Sequence, residues 1–207
     1  MNVSRFTRAI GLGLAVAIAL PAVADATPRR VYDPTVHQFY TYDPDRQDPN
    51  RPLDPQYQAQ VVPFATTESP GTIIVDTENK FLYFTLQDGL AIRYGVGVGR
   101  EGFGWSATVR VGAKQEWPTW TPPPEMIERR PELVEYTDGM PGGPDNPLGA
   151  RAMYLFDNGR DTMFRIHGTN EPWSIGQNVS SGCIRMLNEH VTELYRMVTV
   201  GTKVIVM

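Results

Sequence analysis

The sequence predicts a mostly β single domain with one main helix near the C-terminus and long irregular loops. Three observations predict it. From Thr72 onward, short runs rich in β-branched and aromatic residues recur between turn signals. A single segment, after Asn188, repeats its apolar residues at helical spacing. Two stretches crowded with proline and glycine, 116–125 and 139–149, interrupt the strands, and regular structure does not persist through such runs.

Taken in order, residues 1–24 begin with Arg5 and Arg8, continue as an apolar run over 9–20, and end in Ala22 and Ala24, with Ala26 just beyond. These are the three parts of a secretory signal peptide with two candidate cleavage points. The apolar run falls short of the roughly 20 residues that a membrane span needs, so an uncleaved anchor is the weaker reading and an exported, soluble mature chain is expected. Residues 25–68 are rich in proline, aspartate, glutamine and tyrosine without helical or strand periodicity. Such a composition buries too little apolar surface to offset ordering entropy, which predicts a flexible tether. Its Tyr32, Phe39, Tyr40 and Tyr42 are either solvated or stickers for a surface. The domain proper is 69–207, about 140 residues and of ordinary size.

Within it, 72–76 and 80–85 read as a hairpin turning at Thr77-Glu78-Asn79, and Asp88-Gly89 makes the next turn. Residues 90–98 mix apolar residues with Gly95 and Gly97, the signature of a strand that another backbone approaches closely. A glycine-rich nucleotide cradle would need a helix immediately afterwards, and Arg100-Glu-Gly-Phe-Gly-Trp105 does not supply one. Another strand is expected over 107–113, and one or two helical turns over 126–131. Between these, Trp117 and Trp120 lie on a proline-stiffened loop. They either wall a groove or cover the open end of the fold. Strands over 151–156 and 162–166, joined at Asp157-Asn158-Gly159, place His167 at a strand end. Asn188 can then cap a helix striped with Val191, Leu194, Tyr195 and Val198, Gly201 can end it, and 203–207 closes as a strand.

The formal net charge of the whole chain is −4, and removing residues 1–24 with their two arginines makes it −6. An acidic chain without a basic cluster argues against nucleic acid as a partner. The chain has one cysteine and three histidines. They do not form a familiar ligand set, so no metal and no cofactor is expected. Exported proteins normally pair their cysteines, so the single thiol, Cys183, is reactive, paired between chains or deeply buried.

A thiol is a nucleophile only as a thiolate, and a histidine within reach both accepts its proton and stabilises the anion. Cys183 and His167 are the candidates. Ser180, Ser181 and Gly182 crowd the cysteine, which suits a tight turn that exposes its side chain and offers peptide N–H groups to an oxyanion. His167 precedes Cys183, the reverse of the papain-like order, and neither a caspase signature nor a sortase Thr-Leu-x-Thr-Cys pattern is present.

His167-Gly168-Thr169-Asn170 followed by Ser180-Ser181-Gly182-Cys183-Ile184-Arg185-Met186 resembles the YkuD-type L,D-transpeptidase catalytic domain. Trp117-Pro-Thr-Trp120-Thr-Pro-Pro-Pro and Asn146-Pro-Leu-Gly149 look like the same family. The resemblance implies a mixed β-sandwich or barrel with loops over the active site, Cys183 as nucleophile and His167 as its base, oriented by the Gly168 carbonyl. It further implies an oxyanion hole from the peptide N–H groups around Gly182 and Cys183, and Arg185 positioning an anionic stem peptide, although an arginine is also a common structural ion-pair partner. Ser181, Trp117, Trp120 and Asn146 are the remaining expected substrate contacts. The family often carries a second histidine where Ser181 stands, so His167 is expected to act alone, with His190 structural and His37 solvated. The implied substrate is a peptidoglycan tetrapeptide stem in the periplasm or cell envelope. The implied acceptor is an amine of a second stem or of an envelope protein; water would make a carboxypeptidase or a detaching hydrolase. A non-catalytic peptidoglycan-binding module is the alternative of another class.

Overall fold

The computed structural model describes residues 29–33, 38–42, 54–99 and 105–207, the first two stretches in their backbone only. The expected signal sequence and His37 lie outside the described residues. β1 (Arg29–Asp33) and β2 (Gln38–Tyr42) pair as an antiparallel hairpin, where a tether without strands was expected. Val31, Tyr32, Phe39, Tyr40 and Tyr42 are good strand formers, a local signal that the surrounding prolines and aspartates diluted. Pro55–Tyr57 forms a single 3₁₀ turn, begun by Asp54, whose carboxylate accepts the Gln56 N–H at 3.0 Å. β3 (Gln60–Pro63) then joins the main sheet. The ordered domain therefore begins by Asp54 rather than at 69. Tyr57 explains why: a Cβ on Gly95 would stand 2.4 Å from the tyrosine Cβ, and its ring lies 5.6 Å from that of Phe81. The glycine admits the incoming segment onto the sheet face.

The main sheet continues with β4 (Ile73–Asp76), β5 (Phe81–Thr85) and β6 (Leu90–Gly95). A two-residue strand β7 (Val98–Gly99) and the long β8 (Ala107–Glu116) follow. The short helix α1 (Pro124–Arg129) leads through a 3₁₀ turn, Pro131–Tyr136, and a long loop to β9 (Arg151–Asp157) and β10 (Arg160–His167). β11 (Asn178–Ser180), β12 (Ile184–Arg185), α2 (Asn188–Met197) and β13 (Lys203–Val206) complete the chain. Nine strands form one mixed sheet in the order β12-β10-β9-β8-β13-β4-β5-β6-β3, and β11 pairs with β7. The pairs β10/β12 and β13/β4 are parallel.

The expected mostly β fold with one main helix is present, and its main sheet is open: it does not close as a ladder. One bridge nevertheless ties its ends together. Gly97, just beyond β6, and Arg185 of β12 exchange both backbone hydrogen bonds, at 2.9 and 2.8 Å. Gly97 also lies against the Ser174 carbonyl, which a Cβ would meet at 2.6 Å. The close backbone approach expected from the glycine run is therefore present.

Alternating strand residues, among them Ile73, Val75, Leu82, Tyr94, Val111, Met153, Leu155 and Ile166, meet Val191 and Leu194 of α2 and Val198 just after it in one core. Each large apolar side chain buried this way contributes about 1.5–3 kcal/mol. The cap of α2 differs from expectation. Leu187 is its N-cap and provides no side-chain bond, because the Asn188 side chain reaches back to other backbone. The helix stops at Met197, not at Gly201. Lys114 caps it by donating to the Tyr195 and Val198 carbonyls with its ammonium 4.0 Å from the Tyr195 ring centre, a cation where the helix dipole favours one. Gly201, at φ +96°, shapes the turn into β13. Among the described residues no helix is long and apolar enough to cross a membrane.

Candidate active site

Strand alternation builds the site. In the parallel pair β10/β12, Ile166 lies opposite Ile184 and His167 opposite Arg185. Ile166 and Ile184 point into the core, where both are buried. Successive side chains alternate between faces, so Arg165 and His167 on one strand, and Cys183 and Arg185 on the other, share the opposite face. The Met186 N–H donates to the His167 carbonyl at 2.8 Å and prolongs the pairing. Two short apolar-polar alternations thereby set His167 and Cys183, the residue just before β12, at nearby positions of the strand pair.

His167 is 4% exposed, and its Nδ1 lies 2.6 Å from the Gly168 carbonyl oxygen. A carbonyl only accepts, so Nδ1 carries the proton and the Nε2 lone pair is left for another donor. Gly168 is held in turn. Its N–H donates to the Arg151 carbonyl at 2.9 Å, and a Cβ there would stand 2.2 Å from Asn188 Oδ1. That oxygen accepts the Ala150 and Thr169 N–H groups at 2.9 and 3.2 Å, and Asn188 Nδ2 donates to the Thr169 carbonyl at 3.0 Å. One amide side chain thus pins the corner that follows the histidine.

The cysteine turn is equally constrained. Ser180 Oγ donates to the Cys183 carbonyl at 2.6 Å and accepts the Gly182 N–H at 3.1 Å. Gly182 has φ +111°, and a Cβ on it would meet the Phe164 ring at 2.3 Å. Of the peptide N–H groups expected to face an oxyanion, that of Gly182 is therefore engaged by Ser180. The thiol of Cys183 is half-buried.

A family model described as the L,D-transpeptidase catalytic domain, YkuD, matches residues 70–206. The chain belongs to the YkuD family. It is 38% identical over 141 residues to the probable L,D-transpeptidase ErfK/SrfK of Escherichia coli K12, a match covering 64% of this chain and 42% of that protein. The chain thus matches less than half the length of this curated relative. A solved Brucella melitensis structure, named as a probable carnitine operon oxidoreductase caia, shares 49% identity at a TM-score of 0.51, covering 75% of this chain and 96% of that one. The carbamoyl enzyme formed by Ldtfm with avibactam has a TM-score of 0.51 at 20% identity, covering 68% of this chain and 49% of that one, and bears on the fold alone.

In this YkuD domain, burial and then the Arg185 guanidinium push the His167 imidazole down to about 3. Burial pushes the Cys183 thiol up, opposed by the Arg165 N–H and by the charges of Arg165 and Arg185. At neutral pH the resting pair is therefore a thiol and a neutral imidazole, not a preformed ion pair. Arg185 Nη1 meets Glu171 Oε2 at 2.7 Å, the structural ion pair its sequence context also allowed. Its buried Nε has no partner among the described residues.

The remaining expected contacts separate. Ser181 is exposed beside the turn. Trp120 bridges to Met140 by two backbone bonds, at 3.0 and 2.7 Å. Trp117, at φ +42°, donates its N–H to the Ala150 carbonyl, one residue from the carbonyl that holds Gly168. Asn146 is corrected: it is 2% exposed, its Nδ2 bonds the Pro118, Met140 and Pro141 carbonyls, and its Oδ1 accepts the Leu148 N–H. It fastens the tryptophan loop instead of facing a substrate. His190, in the first turn of α2, is buried with its ring 5.5 Å from that of Tyr94. Sequence reasoning passed over Ser180 in favour of Ser181, and missed Asn188 and Glu171. For Ser180 the signal was local: a serine two residues before a glycine turn is a ready partner for its N–H.

Proposed function

We propose that this domain transfers peptidoglycan stem peptides through an acyl-enzyme on Cys183, in the periplasm or cell envelope after removal of the N-terminal signal. The observation that supports the reading is the Nδ1–Gly168 bond, which leaves the Nε2 lone pair of a buried imidazole free to accept a proton, on a strand paired with β12, the strand that directly follows the only cysteine. Nε2 takes the thiol proton as Sγ attacks the carbonyl carbon of the third stem residue, and the developing oxyanion is met by the Cys183 N–H. The C–N bond to the terminal D-alanine breaks as the imidazolium returns its proton to the departing amine. An amine of a second stem, or of an envelope protein, then attacks the thioester, gives a proton to His167 and releases the thiol. Arg185 draws the anionic stem, and the tryptophan loop limits the access of water, which must lose to the amine.

Purified protein mixed with muropeptide tetrapeptides is expected to release D-alanine and form cross-linked dimers by mass spectrometry, with Cys183→Ala inert. Equal products from wild type and Cys183→Ala would overturn the enzyme reading in favour of a binding module. Tripeptide monomers alone would assign water as the acceptor.

A further inference from the structure

We propose that Trp105 is a positioning residue for the oxyanion amide, a role that rests on the acyl-transfer reading above. Its indole Nε1–H donates to the Gly182 carbonyl at 3.0 Å. That carbonyl and the Cys183 N–H are the two ends of one planar trans peptide unit, pointing in opposite directions. A hydrogen bond at the oxygen therefore fixes where the N–H points, and by drawing electron density toward the oxygen it makes the N–H a stronger donor. The unit needs such a hold. Gly182, at φ +111°, has no side chain to restrain the rotation of its peptide, and its own N–H is secured separately by Ser180.

The tryptophan is itself braced. Its ring stacks on Phe164, centres 4.5 Å apart and planes 8° from parallel, and Phe164 is the residue that fills the space beside Gly182. Phe164 reaches that place through the register shift between Asp161 and Arg165 in β10, where Met163 at φ +65° donates its N–H to Asp161 Oδ1 at 2.8 Å. The irregularity in β10 thus supplies the floor of the cysteine turn, and Trp105 supplies its lock. Trp105 acts through the peptide, by way of its bond to the Gly182 carbonyl.

Two reactions of the same sulfur distinguish this role from general support. Acylation by a carbapenem forms an S–C bond at the β-lactam carbonyl, opens the ring C–N bond with the proton passing to nitrogen, and places negative charge on the carbonyl oxygen in the transition state. Alkylation by iodoacetamide forms an S–C bond with loss of iodide and develops no oxyanion. Trp105→Phe keeps a ring on Phe164 and removes the donor. Replacing the indole by benzothiophene keeps its shape as well and separates the lost N–H from lost packing.

In both variants, acylation at Cys183, followed by mass spectrometry, is expected to slow on the order of 10-fold, less than the 10²–10³ that follows deletion of an oxyanion donor. Iodoacetamide alkylation should stay within about twofold of wild type, since no charge on oxygen enters its transition state. Equal slowing of both reactions, or no slowing of either in the benzothiophene variant, would overturn the proposal. A wild-type protein that is alkylated but never acylated would overturn the acyl-transfer reading itself, and this role with it.

Discussion

Two loops meet at the start of β9, each fastened by one asparagine, and they are fastened for different purposes. Asn188 holds the corner after His167, where its side chain makes three bonds to backbone and lies against Gly168, whose carbonyl fixes the imidazole tautomer. Asn146 holds the tryptophan loop with four bonds, all to loop backbone. The chemistry of the two side chains is the same, an amide substituting for a missing ladder. What differs is the next atom along. Behind Asn188 stands His167, the proposed base; behind Asn146 stands only the loop. Multiplicity of hydrogen bonds therefore marks a scaffold, and proximity to a reacting group decides whether the scaffold is also part of the chemistry.

His167→Gln tests the first loop most severely. Carbapenem acylation is expected to fall by about 10²–10⁴, the usual worth of a positioned base. The same variant tests the buried imidazole. The folded chain takes up no proton at His167 until the pH nears 3, whereas an unfolded histidine does so near 6.5. This contribution is thus complete above pH 6.5 and is lost progressively as pH falls toward 3, by about 1.4 kcal/mol per unit. Wild type should lose stability on going from pH 7 to pH 4.5 in calorimetry. The loss should shrink in His167→Gln, with His190, whose pKa is also lowered by burial, accounting for part of the remainder. Identical slopes would contradict a neutral buried imidazole.

Asn188→Ala should come next, destabilising the fold by about 1–3 kcal/mol through unpaired backbone groups. It should also slow both acylation and alkylation of Cys183, because the corner that orients the base is released. Asn146→Ala should cost a similar amount in denaturant unfolding, yet leave iodoacetamide alkylation of Cys183 within about twofold. If Asn146→Ala slowed alkylation as much as Asn188→Ala, the distinction between the two loops would fail.

Much of this was legible before any coordinates. The strands, the main helix and the placing of His167 at a strand end follow from short-range alternation and helical periodicity, signals contained within a few residues. The proposed pairing of Cys183 with His167 comes from one leftover thiol and a motif, and the β10/β12 register sets the two segments side by side. Illegible were features set by distant partners. β3 looks like tether because its identity comes from β6 rather than from its own residues. Asn188 reads as a cap from its neighbours on the chain, while its partners, Ala150 and Thr169, are supplied by the fold. Asn146 has the look of a substrate contact for the same reason, since a polar residue in a proline-rich loop gives no sign that the loop folds around it. Trp105 lies far from Cys183 in sequence, and nothing near it announces the Gly182 carbonyl.

The Gly97 bridge has a consequence beyond geometry. A two-residue strand at the end of a sheet would ordinarily present a row of bare donors and acceptors, an invitation to pair with a neighbouring molecule. Here both backbone groups of Arg185 are occupied by Gly97, while the far rim of the sheet ends in a strand that carries Pro63. The rim that holds Arg185 is therefore sealed against edge-to-edge association, and the residue that seals it is a glycine because only a bare backbone fits between Arg185 and the Ser174 carbonyl. The same glycine that joins the end of β6 to β12 keeps the edge beside Cys183 from becoming a point of aggregation.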